Sequence, residues 1–201
     1  MLILASQSPR RAELLRNAGF SFEVRSAEVD ERVHPNEPPL DYVQRLAKEK
    51  ALEVLATVPP GAWVLGADTT VAVDGESLGK PANAAEARRM LSKLSGRTHQ
   101  VMTGVCLAWQ RADAIRPGAG ASGMEREIEC DVQAEVTEVE FAPLSEEEIA
   151  AYVALGEPLD KAGAYAIQGR ASRWIPRIRG CYFNVVGLPV ARVCAMLRRA
   201  E

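Results

Sequence analysis

The stretch Leu4-Ala5-Ser6-Gln7-Ser8-Pro9-Arg10-Arg11-Ala12-Glu13-Leu14-Leu15 carries the chain from a strand into a helix. Met1 to Ala5 is an apolar run of strand type. Ser8 is a good N-cap, and Pro9 suits the first helical position, where its missing N–H leaves nothing unsatisfied. The helix that follows is closed by Gly19. Its first turn holds Arg10 and Arg11, where the helix dipole is already positive. Either both guanidinium groups are solvated, or they converge with the free backbone N–H groups on a docked anion.

Strands and helices alternate on either side of this unit. A short strand is expected near 21–26, then a polar, Pro-rich passage from Val29 to Pro39 and a helix from about Asp41 to Ala56. Trp63 to Gly66 reads as a buried strand continuing through Asp68 to Val73, with a turn signal at Asp74-Gly75. Asn83 and Glu86 form a capping pair for a helix closed by Ser95-Gly96, and Val101 to Trp109 is strand-like. Residues 110–127 lose all periodicity, and the Pro/Gly/Ala/Ser run at 117–123 predicts a flexible loop. Ile128, Cys130, Val132, Ala134 and Val136 alternate, and Val139 and Phe141 shift the phase, predicting a bulge near Thr137. Ser145 and Glu148 cap a helix that ends at Gly156; strands near Trp174–Arg179 and Tyr182–Val186 precede a last helix from Pro189 to Arg199. The pattern predicts an α/β fold with a mixed sheet, in one domain spanning 1–201.

Bulk properties narrow the function. The chain has 201 residues, 47% of them hydrophobic, enough for a sizeable core. A net charge of −3 gives no support to a nucleic-acid partner. No stretch has transmembrane length, and Met1 to Ala5 is too short for a signal peptide. Cys106, Cys130, Cys181 and Cys194 form no C-x-x-C pair, and His34 and His99 are the only histidines. That argues against a zinc site, a disulfide framework and a histidine-rich metal centre. A reduced, cytoplasmic protein is expected.

Three further features carry chemistry. Lys50 falls on the centre line of the apolar stripe Val43, Leu46, Ala47 and Val54, so it must snorkel, find a carboxylate or reach a ligand anion. Asp68 closes the buried run Trp63-Val64-Leu65-Gly66-Ala67, where an ionised carboxylate needs a cation or a function. It is otherwise a turn-forming Asp. Asp30 and Glu31 add carboxylates that would suit a hard divalent cation with phosphate, or simply a solvated loop. Lys80 sits in a Gly-Lys-Pro frame, and Asp160 to Gly169 is rich in small residues that let backbone approach a ligand. A small polyanion together with a metal fits this set.

The chain resembles the Maf family of nucleoside triphosphate pyrophosphatases. The segments that carry the likeness are Leu4 to Leu15, Arg45-Leu46-Ala47-Lys48-Glu49-Lys50-Ala51, Gly66-Ala67-Asp68-Thr69, Gly79-Lys80-Pro81, Leu94 to Val105, Asp160 to Gly169 and Asn184 to Pro189. Ala166 stands where the family commonly has glycine, and residues 110–127 are longer than its usual connection. The resemblance implies a mixed twisted sheet in two lobes around a central cleft, similar to inosine triphosphate pyrophosphatases. It implies cleavage of a nucleoside triphosphate between the α and β phosphates with a divalent cation, Mg²⁺ or Mn²⁺. Asp68 would be the proton acceptor. Ser8, Arg10, Arg11, Lys50 and Lys80 would hold the triphosphate, and Glu31 and Asp68 the metal. Arg10, Thr69 and Gln168 match the branch that prefers dTTP and UTP. A sibling branch acting on 7-methyl-GTP has Gln after the Asp and Glu at the position of Gln168. A nucleotide-binding regulator of septum formation is the other function class, and a homodimer stays open.

Overall fold

The computed structural model describes residues 1–117 and 124–200. Trp63–Val73 (β3) is the strand around which the rest is arranged. Leu2–Ala5 (β1) and Phe22–Arg25 (β2) run parallel to each other and on to β3, while Thr98–Pro117 (β5), Met124–Glu140 (β6) and Arg177–Arg179 (β7) follow antiparallel on its other edge. Glu76–Leu78 (β4) folds back on the far end of β3. The mixed sheet has the order β2-β1-β3-β5-β6-β7. Among the described residues six helices accompany it: α1 (Pro9–Asn17), α2 (Pro39–Leu55), α3 (Ala84–Leu94), α4 (Glu146–Ala154), α5 (Tyr182–Val186) and α6 (Val190–Ala200). Short 3₁₀ turns at Glu157–Asp160, Ala162–Ala164 and Arg170–Trp174 link α4 to β7.

Side chains alternate along β3, and each face meets different partners. On one face, Leu65 and Ala67 pack with Leu14 and Leu15 of α1 and with Val193 and Met196 of α6. Farther along that face, Val71 and Val73 join Leu91 and Leu94 of α3 and Ile149 and Tyr152 of α4. These are two separate clusters, and Thr69 lies between them. This is the origin of the two lobes and of the cleft that divides them. The opposite face is covered along its length by α2, with Val64 against Ala47, Ala51 and Val54, and Ala72 against Val43 and Leu46.

Glycine lets α2 lie directly on the strands. A Cβ on Gly66 would stand 2.1 Å from the Ala47 carbonyl oxygen, and one on Gly104 2.1 Å from that of Val43. Both distances are impossible for real atoms, so the helix backbone touches the sheet backbone there. Lys50, one turn beyond Ala47, is thereby brought beside Asp68, which shares the Gly66 face of β3.

The capping signals hold. Asn83 accepts from the Glu86 amide, and Ser145 and Glu148 form a reciprocal capping box at 3.2 and 2.9 Å. Ser8 occupies the N-cap of α1, although its side chain makes no capping bond. Three expectations need correction. The β5–β6 register is unbroken from Thr98↔Glu140 to Gln110↔Ile128, so there is no bulge at Thr137. The change of phase reflects a change of cover: Cys130 and Val132 pack on the α2 side, Val139 and Phe141 on the α3–α4 side. Tyr182–Val186 is helix, not strand. Its β-favouring residues are overruled by Asn184, whose buried Nδ2 donates to the Val101 carbonyl and Thr137 Oγ1, and by the Gly187 amide closing the turn on Phe183 and Asn184. Finally, β5 and β6 extend as strands into the stretch expected to be a loop, with a register shift between Gln110 and Ile115. The ladder propagates through backbone bonds, which leave no period in the sequence. Of the expected loop tip at 117–123, Pro117 ends β5 and residues 118–123 lie outside the described residues. Among the described residues, no helix is long and apolar enough to cross a membrane.

Candidate active site

β1 pairs with β3 only as far as Gly66, and β4 takes up that edge at Val71. Between them, residues 67–70 have no strand beside them on that edge, and a cleft of about 420 Å³ opens there. That volume suits a small-molecule ligand. Its walls come from the β1–α1 turn, the segment around Glu31, Lys50 of α2, the Gly79-Lys80 turn and residues 160–168.

At its floor, Asp68 is 8% exposed and accepts a hydrogen bond from Lys50 Nζ at 2.7 Å. The same ammonium lies 2.6 Å from Glu31 Oε1. Lys50 does not simply snorkel: it bridges two carboxylates. Burial raises the pKa of Asp68 above its ordinary value, against the opposing charges of Lys50 and Arg11. Glu31 also loses some hydration, but its hydrogen bond and attraction to Lys50 outweigh this and bring its pKa down. The two carboxylates are thus pushed apart in basicity, with the buried one the stronger base.

Glu31 belongs to an irregular passage that α2 holds in place. Tyr42 Oη donates to the Glu31 carbonyl at 2.9 Å, and Arg45 binds the Glu37 carboxylate at 2.6 and 2.8 Å and the Arg32 carbonyl at 3.1 Å. Arg45 therefore has work to do within the motif that Lys50 shares.

The two arginines of α1 part company. Arg11 turns inward and is buried. Its Nε donates to the Gly187 carbonyl at 2.8 Å, Nη1 to Ser6 Oγ and the Ala67 carbonyl, and Nη2 to Thr69 Oγ1 at 3.0 Å. Four of its five N–H groups are occupied, and one on Nη2 is left. Burial lowers its pKa, with the attraction of Asp68 opposing. Arg10 and Lys80 also line the cleft, and neither has a hydrogen bond or ion pair among the described residues. Ser8 lines it too, its amide donating to Ser6 Oγ at 3.2 Å.

Thr69 is committed within the protein. Thr103 gives its hydroxyl proton to the Asn184 carbonyl at 3.2 Å, leaving Thr69 to donate to Thr103 at 2.9 Å. Thr69 therefore presents shape rather than a spare donor. Gln168 lies exposed at the opposite wall and has no hydrogen-bond partner of its own among the described residues. The structure thus gathers Ser8, Arg10, Arg11, Glu31, Lys50, Asp68, Thr69, Lys80 and Gln168 around one cleft. It adds Ser6, Tyr42 and the ion pair of Asp160 with Lys161, which the sequence reading did not single out as site residues. Asp160 and Lys161 open the small-residue motif, a signal that could have found them; Ser6 and Tyr42 left no signal beyond their neighbours.

Comparison with known proteins agrees with this architecture. A sequence profile of Maf-like proteins matches residues 1–200. The dTTP/UTP pyrophosphatase of Anaeromyxobacter dehalogenans (strain 2CP-C) is 53% identical over 199 residues, covering 99% of this chain and 93% of its own. The dTTP/UTP pyrophosphatase of Symbiobacterium thermophilum is 54% identical over 196 residues, covering 98% of this chain and 92% of its own. Among solved structures, the Staphylococcus aureus Ham1 protein superposes with a TM-score of 0.51 at 13% identity, over 100% of this chain and 99% of that one, and shares the fold. The chain belongs to the Maf family.

Proposed function

We propose that this chain hydrolyses dTTP and UTP between the α and β phosphates, releasing the nucleoside monophosphate and pyrophosphate. The observation that carries the reading is Asp68, a buried carboxylate on the unpaired edge of β3, bound to Lys50 in the same cleft as Arg10 and Lys80, which have no hydrogen bond or ion pair among the described residues. The names of relatives at about half identity support the same activity. Both lobes supply cleft residues, in keeping with one domain over 1–201.

In this mechanism Asp68 takes the proton of a water aligned for in-line attack on phosphorus. Its raised pKa makes it the stronger base, and the charge of Lys50 favours its ionised form. Arg10, Lys80 and Ser8 would bind the triphosphate at the start of α1, where Arg11 adds its charge and one remaining N–H. These groups stabilise the charge that develops on the phosphate oxygens. A divalent cation fits the donor set. Glu31 Oε1 and Asp68 Oδ1 both reach Lys50 Nζ, at 2.6 and 2.7 Å, so the two carboxylates stand close enough to share a cation, and no cluster of three or more His, Cys, Asp or Glu able to hold a metal occurs among the described residues. A hard cation held by one or two carboxylates is completed by substrate phosphates, so Glu31 and Asp68 would hold Mg²⁺ or Mn²⁺ that arrives with the nucleotide. Bound there, the metal supplies Lewis-acid polarisation of phosphate oxygens.

For the base, the Gln168 amide can both donate and accept, as the O4 and N3–H edge of uracil or thymine requires. Cytosine reverses that pattern, and a cationic methylated purine suits a carboxylate better. Thr69 leaves room without adding charge, and Arg10, on the cleft wall, would contribute to both phosphate and base selection. The test is a panel of UTP, dTTP, CTP and 7-methyl-GTP with Mg²⁺ or Mn²⁺, reading pyrophosphate and monophosphate together. UTP and dTTP should lead. Equal or better kcat/KM on 7-methyl-GTP overturns the base assignment, and release of orthophosphate alone overturns the reaction.

A further inference from the structure

Among the described residues Gln168 has no side-chain partner, so its aim depends on the backbone that carries it. That backbone is a tight turn, Ala166–Gly169, closed by the Gly169 amide on the Ala166 carbonyl at 3.0 Å. Both ends of the turn are tied to one pair of side chains outside the cleft. The Ala166 amide donates to Tyr152 Oη at 3.3 Å, and Tyr152 Oη donates in turn to Glu157 Oε1 at 2.8 Å. The Arg170 amide, just past the turn, donates to the same Glu157 carboxylate at 3.1 and 3.4 Å. The fit is close: a Cβ on Gly169 would stand 1.9 Å from Glu157 Oε1. Tyr152 is 2% exposed and anchored in the α3–α4 core, so the tie is made to a rigid part of the molecule.

We propose that Glu157 and Tyr152 form a clamp that fixes the pose of Gln168, and so act as positioning residues for base selection. This rests on the reading of Gln168 as the base-contacting residue. Neither side chain lines the cleft, so neither touches the phosphates or the attacking water. The clamp also accounts for Ala166 where the family commonly has glycine. What the position supplies is an N–H to Tyr152, and its φ is not positive, so alanine serves as well.

The test is the UTP-over-CTP ratio of kcat/KM in Glu157→Ala, Glu157→Gln and Tyr152→Phe, each alone and combined with Gln168→Ala. Tyr152→Phe keeps the packed ring and covers the case in which Glu157→Ala fails to fold. Releasing the turn should lower the ratio about fivefold or more, through a higher KM for UTP with kcat on UTP changed less than twofold. Glu157→Gln, which keeps one acceptor oxygen, should recover part of the loss. In the Gln168→Ala background the clamp variants should lower the ratio no further. A ratio lost in Gln168→Ala but intact in folded Tyr152→Phe and Glu157→Ala overturns the clamp alone. Equal losses with and without Gln168 show that the clamp acts through something else and overturn it too. A ratio unchanged by Gln168→Ala removes the base reading, and the clamp falls with it.

Discussion

Asp68 and Lys50 are opposed by the same burial. Moving either charge alone out of water is costly, and the 2.7 Å bond between them is what makes both tolerable. If Asp68 is the proton acceptor, Asp68→Asn should reduce kcat by on the order of 100-fold or more with little change in KM, checked by steady-state pyrophosphate release. Near-normal turnover in that variant would end the assignment. Lys50 makes a sharper test through pH. Its charge lowers the Asp68 pKa against desolvation, so Lys50→Met must raise that pKa further. The acid limb of kcat/KM should therefore move to higher pH in Lys50→Met, beyond its position in the parent protein. An acid limb that stays in place would show that another group sets it. Folding should survive, because methionine continues the apolar stripe of α2, Asp68 can take up a proton once its partner is gone, and Glu31, half exposed, stays hydrated.

Placement of these residues depends on α2 resting on the sheet without intervening side chains. Gly66→Ala puts a methyl 2.1 Å from the Ala47 carbonyl oxygen, and Gly104→Ala does the same at Val43. Neither neighbour is a flexible side chain, so the helix itself must move. A loss of about 2–3 kcal/mol is expected for each, measured by urea unfolding, in line with overpacked cores. Gly66→Ala should also reduce turnover in the folded fraction, since Lys50 rides on the displaced turn; unaltered turnover there would uncouple the helix seating from the site. Such close approaches leave only a glycine in the sequence, which is why they were not legible in it. What was legible has local causes: the caps at Asn83 and Ser145, the apolar run of β3, the stripe of α2 with Lys50 set in it. The readings that failed depended on distant partners. Tyr182–Val186 has the composition of a strand until Asn184 finds Val101 and Thr137, and the phase change at Thr137 means a bulge only if the same face stays covered. Arg11 shows the same limit at the site. Its position at a helix start pointed to an anion, whereas three of its four acceptors, on Ala67, Thr69 and Gly187, come from far along the chain.

The two lobes are joined across the sheet, and one buried histidine links that joint to the cleft wall. His99, on β5, is 2% exposed, shares a 2.7 Å hydrogen bond with Tyr165 Oη, and meets the rings of Phe141 and Tyr165 edge-on at 5.1 and 5.4 Å. Burial lowers its pKa from 6.5 to about 4, and no charged partner offsets this. The unfolded chain therefore binds a proton on this side chain between about pH 6.5 and 4, and the folded chain does not. Where the unfolded state holds more protons, stability falls as pH falls. The stabilising effect is present above pH 6.5 and is lost toward pH 4, by about 3 kcal/mol in all. Three other carboxylates bear on the comparison. Asp30 and Glu37, with pKa values lowered to about 2, lose their contribution from the ordinary carboxylate range down to about pH 2, mostly below this window. Asp68, with its pKa raised, works in the opposite sense and gains as pH falls. A variant comparison removes both backgrounds. His99→Phe gives up the bond to Tyr165 and should be less stable than the parent at pH 7.5, yet its Tm should decline less between pH 6.5 and 4.5. Differential scanning calorimetry at four or five pH values decides it: converging Tm curves support a buried neutral His99, and parallel curves would place the acid sensitivity of the molecule elsewhere.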